Sequence, residues 1–450
     1  MKVWKKFFIG GLASSFLLCG AGAIVGMQSV DFLQVSGRTD EAVRNYQGMG
    51  WPWRADEMVP TVADEDNRAL PILEAIEQEK DIAETQKNVF KKWEEGDEKE
   101  VRRLMAECEL VLSLYIKASQ YGKADFKHDW SKGSLLLFPE LNHGKAAARL
   151  LGVRAEIKAG EDDLDGALSD LRASFRIGML LGQIPVFSGL LANVSVEQFA
   201  LEDAMRVAEV RKEDANWIRR VHEEVSEWKS GTDFERAIKG EALLGLTTMR
   251  FKDSSWAVIP SNMGLDDESR HPHPLVATPT SVDADGVPTG ISSKAYFVRY
   301  LEANIEIEKL VTAGGDDPIE TGNLITQFIE TSIRNRNEWS FTFSQILFPD
   351  YDQVGYSVAK ARFLLSAVVA VLKAAEVKAK TGQYPLTVGE IAPGFLDPVT
   401  GEVVGYRVQG ETVFVYSFGR NGVDDSGIRD SVTVKDDVAA HFPPKPRSSQ

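Results

Sequence analysis

Apolar side chains recur at intervals of three and four residues, almost without interruption, from residue 65 to residue 250. This spacing places them on one face of successive α-helices. One such stretch contains Val101, Leu104, Cys108, Val111, Leu112 and Tyr115. Helices of this kind must bury their apolar faces against one another. We therefore expect a mainly α-helical protein with short loops between the helices.

The clearest pair of predicted helices lies between Lys145 and Gly182. Gly160 and the acidic run that follows it are expected to end the first helix. The stretches Leu151-Gly152 and Asp163-Leu164-Asp165-Gly166-Ala167 resemble the turn of a tetratricopeptide repeat, in which small residues let two antiparallel helices approach closely. The resemblance covers one unit, so we predict a helical body with a repeat-like hairpin.

The chain has 450 residues, which allows two or three domains, and a net charge of −16. Residues 1–30 contain three lysines and no acidic residue, so the acidic excess lies in the remainder. A body of this charge is repelled by phosphate backbones. This argues against nucleic acid as a partner.

The N-terminus combines a basic start with a long apolar segment. Lys2, Lys5 and Lys6 precede an uncharged run from Phe7 to Met27, which is long enough to cross a bilayer as a helix. The lysines should stay in the cytoplasm, which places the acidic body outside it. We favour a retained membrane anchor, and the alternative is a signal peptide cleaved after the small residues Ala21-Gly22-Ala23.

The last hundred residues predict a buried helix followed by two strands. The run Leu364 to Leu372 is apolar nearly all round, but Arg362 and Lys373 leave it too short to span a membrane. Strand patterns at Val403–Val408 and Thr412–Phe418 are separated by Gly410-Glu411, which predicts a hairpin. We expect a small C-terminal α+β module.

These patterns give six segments. They are an anchor or signal peptide (1–30), a connector (31–64), the helical body (65–250), a proline-rich linker or loop (251–290), helices that pack on the body (291–350), and a long helix with a small antiparallel sheet (351–450).

Several short motifs in the C-terminal segment occur in a characteristic order. They are Thr381-Gly382-Gln383-Tyr384-Pro385, Asp397-Pro398-Val399-Thr400-Gly401, Tyr406-Arg407, and Val415-Tyr416-Ser417-Phe418-Gly419 before Asp424-Asp425. This order resembles the globular end of the major pseudopilin of type II secretion. It also resembles membrane-anchored proteins of planctomycete-type bacteria that join an N-terminal segment, a helical body and this ending. The resemblance implies a pilin-like fold for the C-terminal module.

In the pseudopilin, the loop after the last strands binds calcium. The resemblance implies that Asp424, Asp425, Asp436 and Asp437 are the metal ligands in this chain. Carboxylates gathered on one loop repel one another unless a hard cation or water separates them. The alternative is a solvated turn made of aspartate and glycine.

For catalysis, the best polar cluster contains His128, Asp129, Glu140 and His143. It would form an acid–base site only if folding brings all four side chains together. We therefore expect a non-catalytic envelope protein, anchored in the cytoplasmic (inner) membrane with most of the chain outside the cytoplasm, that binds or assembles with an envelope partner. The alternative is an exported hydrolase that uses this cluster.

Overall fold

The computed structural model describes residues 33–59, 62–78, 81–120, 122–250, 291–334, 348–430 and 435–445. These residues are mainly helical and include a small three-stranded antiparallel sheet near the C-terminus, which confirms the expected composition of the fold. The predicted N-terminal anchor and the predicted linker 251–290 lie outside the described residues. The pilin-like and repeat-like relationships stay predictions.

The α-helices are numbered in chain order. They are α1 (Thr39–Gly48), α2 (Ala55–Met58), α3 (Ala69–Gln78), α4 (Ile82–Glu94), α5 (Glu98–Glu107), α6 (Glu109–Ala118), α7 (Pro139–Gly160), α8 (Leu164–Leu181), α9 (Phe187–Glu209), α10 (Ala215–Ser226), α11 (Phe234–Arg250), α12 (Ile291–Gly314), α13 (Pro318–Phe328) and α14 (Tyr351–Thr381). Short 3-10 helices cover Asp64–Asp66, Trp130–Leu135 and Val388–Glu390, and a π-helical turn covers Ile329–Arg334.

Aspartate side chains begin several of these helices. The carboxylates that accept hydrogen bonds from backbone amides in the first turn belong to Asp97, Asp163, Asp214 and Asp317. Such caps satisfy N–H groups that have no partner within the helix, and each stabilises the fold by about 1 kcal/mol. The cap at Asp163 accounts for the short connection between α7 and α8. The first helix ends at Gly160, and the second begins directly after the capping aspartate.

A buried ion pair joins α7 to α8. The Asp170 carboxylate is 1% exposed and accepts two hydrogen bonds of 2.9 Å from the Arg154 guanidinium. The Lys158 ammonium lies 2.8 Å from the same carboxylate, and Arg154 also donates to Glu109 on α6 at 2.9 Å. A buried carboxylate needs such partners to offset the loss of its hydration. Asp170 therefore fixes the packing of α7 on α8.

The N-terminus of α9 is capped by a side chain of α11. The Glu241 carboxylate accepts a 2.7 Å hydrogen bond from the Phe187 amide. Burial raises the pKa of Glu241 to about 7, although this hydrogen bond acts in the opposite direction. The neighbouring Gly240 allows the close approach, because a Cβ atom there would lie 1.3 Å from the Pro185 carbonyl oxygen.

The strands of the C-terminal segment form two small sheets. They are β1 (Gly405–Gln409), β2 (Thr412–Ser417), β3 (Arg429–Asp430), β4 (Lys435–Asp436) and β5 (Val438–Phe442). The larger sheet has the order β1-β2-β5 with antiparallel neighbours, and β3 pairs with β4. The predicted hairpin is confirmed, since Gly410 and Glu411 connect β1 to β2 and Gly410 adopts the positive φ that two-residue hairpins favour.

The larger sheet packs on the middle and C-terminal part of α14. Val413, Val415, Val438, Ala440 and Phe442 are buried and share a core with the apolar run of α14 and with helices α7 to α10. The predicted burial of α14 is thus confirmed. No helix within the described ranges is long and apolar enough to cross a bilayer. The shared core places β2 and β5 against the helical body.

Candidate functional site

Three of the four predicted acidic ligands lie together. Asp425, Asp436 and Asp437 each offer a carboxylate oxygen, and these oxygens lie within 4.8 Å of one another. Asp424 is turned to other partners, because its Oδ1 atom accepts hydrogen bonds from the Tyr416 hydroxyl at 3.1 Å and the Ser426 amide at 2.8 Å. The candidate site is therefore a group of three carboxylates, which we call the acidic triad.

Among the three carboxylates, Asp437 gives the strongest evidence for a bound cation. Its side chain is 1% exposed, and its Oδ2 atom accepts a 2.8 Å hydrogen bond from the Gly427 amide. Its Oδ1 atom is buried and has no hydrogen-bond partner among the described residues. Burial, with a smaller contribution from the charges of Asp425 and Asp424, raises the pKa of Asp437 to about 6. A buried carboxylate oxygen without a donor is costly unless a proton or a cation compensates it.

Asp436 is positioned by the turn that follows β2. Its Oδ2 atom accepts a hydrogen bond from the Arg420 amide at 2.8 Å. Gly419 has a φ of +66°, and a Cβ atom at this residue would lie 2.3 Å from the Asp436 Oδ1 atom. Both the backbone conformation and the space therefore require glycine at residue 419. Asp425, in the same loop as Asn421, accepts a 3.0 Å hydrogen bond from the side-chain Nδ2 atom of that asparagine.

The Asp397 motif holds the start of the same loop. Asp397 is buried, and its Oδ1 atom accepts hydrogen bonds from the backbone amides of Val399 and Thr400 at 2.9 and 2.8 Å. Its Oδ2 atom accepts a 3.0 Å hydrogen bond from the Phe418 amide at the end of β2. The motif therefore fixes the first residues of the loop that carries Asp425.

The triad has the chemistry of a hard-cation site. Calcium binds carboxylate oxygens at about 2.3–2.6 Å, so two ligands of one ion lie within about 5 Å of each other. The separations within the triad satisfy this limit. Three carboxylates supply fewer ligands than calcium takes, and backbone carbonyls or water complete such sites in general.

The residues of the predicted hydrolase cluster are only partly brought together. The His128 Nε2 atom lies 2.8 Å from the Glu140 Oε1 atom, and Glu140 is 1% exposed. The His143 Nδ1 atom is hydrogen-bonded to the Tyr115 hydroxyl at 2.7 Å. Asp129 points elsewhere, because its carboxylate caps a 3-10 helix through the Ser131 amide and hydroxyl. The structure therefore forms two buried pairs instead of one four-residue site.

An aromatic environment surrounds His128. Its ring stacks on Phe126 with a centroid separation of 5.9 Å and meets the edges of Trp130 and Phe138 at 5.8 and 4.9 Å. The His128 side chain is 11% exposed. These contacts hold the imidazole ring in one orientation. A fixed orientation is compatible with a packing role and with a role in acid–base chemistry.

The structure also contains a cavity that sequence analysis missed. It has a volume of about 810 Å³ and lies between the helical body and β5. Leu364 and Val368 of α14 line it together with Phe199 of α9, and Asp437 lies at the same cavity. No sequence pattern predicts this cavity, because the residues that line it come from segments up to more than 300 residues apart, from Phe90 to Lys445. We call this cavity the β5 groove.

No protein family, curated protein or solved structure was found to match this chain. Its function must therefore be inferred from its own residues.

Proposed function

We propose that this chain is an exported, membrane-anchored envelope protein that acts by binding or assembly, and that calcium stabilises its C-terminal loop at the acidic triad. The observation that carries the metal proposal is the buried Oδ1 atom of Asp437, which has no donor in the described part of the chain. Repulsion among Asp425, Asp436 and Asp437 adds to the benefit of a bound cation. The pilin-like resemblance of the C-terminal module supports the same assignment.

The metal proposal predicts that calcium raises the melting temperature of the purified full-length chain. A ligand at 100 times its Kd stabilises a folded protein by about 2.7 kcal/mol. Because the cation must displace the proton from Asp437, whose pKa is raised to about 6, the gain should be larger at pH 7.5 than at pH 5. Thermal melting with calcium, with magnesium and with a chelator measures these differences.

A matched pair of variants tests the residues. Asp437→Asn should abolish the calcium-dependent shift, whereas Asp424→Asn, the same change at a nearby aspartate outside the triad, should retain it. An unchanged melting temperature of the wild-type chain in calcium would refute the metal proposal. So would an equal shift in the Asp437→Asn variant.

The proposed location rests on the N-terminal sequence. The basic start and the uncharged run from Phe7 to Met27 favour a membrane anchor with the acidic body outside the cytoplasm. A reporter enzyme that works only outside the cytoplasm, fused after Gln450, should be active. Activity of a cytoplasm-only reporter at the same position would contradict this topology.

Hydrolysis is the second candidate function, and one observation favours it. The His128 Nε2 and Glu140 Oε1 atoms lie 2.8 Å apart, which is within reach for proton transfer, although their angles do not form a hydrogen bond. If this pair is catalytic, the chain should cleave members of a panel of chromogenic esters and phosphoesters, and His128→Gln should abolish the activity. Turnover that survives His128→Gln would exclude this pair from the chemistry, and the absence of turnover across the panel would leave binding as the favoured function.

A further inference from the structure

The side chain of Arg420 joins the loop after β2 to the first turns of α14. Its Nη2 atom donates a 3.0 Å hydrogen bond to the Asp352 carbonyl oxygen, and its Nη1 atom lies 3.5 Å from the Asp352 Oδ2 atom. Its guanidinium carbon lies 4.5 Å from the centre of the Tyr356 ring. A planar guanidinium can donate hydrogen bonds from its edge while its face rests on a ring. Arg420 therefore contacts α14 at two residues.

The main chain at the same place holds the acidic triad. The Arg420 amide donates a 2.8 Å hydrogen bond to the Asp436 Oδ2 atom, and the Asn421 amide lies 3.5 Å from the Asp436 Oδ1 atom. The Asn421 side chain donates a 3.0 Å hydrogen bond to the Asp425 Oδ2 atom. Two consecutive residues thus hold two of the three carboxylates.

The contact point on α14 is itself fixed to the helical body. The Asp352 amide donates a 3.1 Å hydrogen bond to the Thr326 hydroxyl of α13, and this hydroxyl lies 3.3 Å from the Asp352 Oδ1 atom. The neighbouring side chains of Ile325 and Tyr351 are buried in the core that includes α11 and α12. Arg420 therefore connects the triad to a packed part of the body.

Cation binding and the contact with α14 act on the same loop residues. Without a cation, the carboxylates of Asp425, Asp436 and Asp437 repel one another. This repulsion opposes the arrangement that Arg420 and Asn421 hold in place. A cation among the three carboxylates removes the repulsion and favours the arrangement in which Arg420 reaches α14. By thermodynamic linkage, the contact with α14 must then favour the cation by the same factor.

We propose that Arg420 is a positioning residue of the cation site, through which calcium binding at the acidic triad and docking of the loop on α14 stabilise each other. Asp352 and Tyr356 hold Arg420, which in turn holds Asp436. This inference rests on the proposed calcium site. It adds that residues of α14 outside the triad help to set the calcium affinity.

The test compares calcium affinities of the purified full-length chain and its Arg420→Ala variant by titration calorimetry at neutral pH. The substitution keeps the backbone amide that bonds to Asp436 and removes the contacts with α14. Loss of a positive charge near a cation site would by itself tighten calcium binding. The proposed coupling predicts the opposite sign, a Kd that rises by about fivefold or more.

Arg219→Ala is the matched control. Arg219 is an exposed arginine of α10 that pairs with Glu223 on the same helix. Its removal should leave the calcium Kd within about twofold of the wild-type value, because the pair lies on a different element. Thermal melting in chelator checks that both variants fold.

Hydrogen exchange provides a second measurement, and its wild-type arm needs no variant. Calcium should slow amide exchange in the first three turns of α14 and at the end of α13. The slowing should be absent from α3, whose side chains belong to a different core. In Arg420→Ala the calcium-dependent slowing in α14 should disappear. A merely structural role for Arg420 would instead change exchange equally with and without calcium.

Three outcomes would overturn the proposal. They are an equal or tighter calcium affinity in Arg420→Ala, an equal loss of affinity in Arg219→Ala, and calcium binding by the wild type without slower exchange in α14. Each of them leaves the calcium site itself intact. The absence of calcium binding by the wild-type chain would instead refute the metal proposal, and this inference with it, so the two failures are distinguishable.

Discussion

Replacing Asp170 with asparagine is expected to lower the free energy of unfolding by about 3–5 kcal/mol, which is the usual cost of removing one member of a buried ion pair. The change leaves the buried Arg154 guanidinium, and the Lys158 ammonium beside it, without their shared carboxylate. Asparagine keeps the volume of the side chain, so the effect reports the lost charge and not a cavity. Equilibrium unfolding in urea at neutral pH measures it.

Asp165 provides the control on the same helix. It is exposed and pairs with Arg220 at the surface. Surface ion pairs contribute little, so Asp165→Asn should change the free energy of unfolding by less than about 1 kcal/mol. If both variants lose equal stability, the ion pair of Asp170 does not have the structural role inferred for it.

Glu241→Gln is expected to change how stability depends on pH. Burial raises the pKa of Glu241 to about 7, above its ordinary value of 4.5, so the fold favours the neutral acid. The corresponding stabilisation is complete below the unfolded-state pKa and is lost as the pH rises through the folded-state pKa. Between pH 5 and pH 8 the wild-type chain should lose about 2–3 kcal/mol from this group alone.

Glutamine does not ionise and retains an oxygen for the Phe187 amide. The variant should therefore resemble the wild type at pH 5 and exceed its stability at pH 8. Glu197 is also buried with its pKa raised to about 7, so a slope of the same sign should persist in the variant at reduced size. Glu235→Gln, an exposed position on α11, should keep the full wild-type slope, and urea unfolding across this pH range distinguishes the cases. An identical slope in the wild type and in Glu241→Gln would contradict the assignment.

Much of the fold could be predicted from the sequence because its signals are local. Gly160 and the acidic run after it predicted the end of the first helix of the hairpin, and the structure ends α7 at Gly160. Gly410 and Glu411 likewise mark the turn between β1 and β2. Helical spacing, helix ends and tight turns are determined by residues close together in the chain. They can therefore be predicted from the sequence without knowledge of tertiary contacts.

The candidate sites depend on distant contacts, and there the sequence was less informative. It proposed four aspartates as ligands, but the hydrogen bond from Tyr416 turns Asp424 away from the other three. It grouped His128 with Asp129, which instead caps a short helix through Ser131. Neighbouring residues in a loop can point in different directions, and only tertiary packing decides which of them meet.

The long helix α14 has a mechanical consequence. Its first turns, with Tyr351 and Val358, belong to the core formed with α11 and α12, and its later turns belong to the core that holds β2 and β5. At 31 residues it is a rod of roughly 46 Å that is embedded at both ends. Because one rigid helix contributes to both cores, a substitution that displaces its first turns is expected to disturb the packing around β2 and β5 as well.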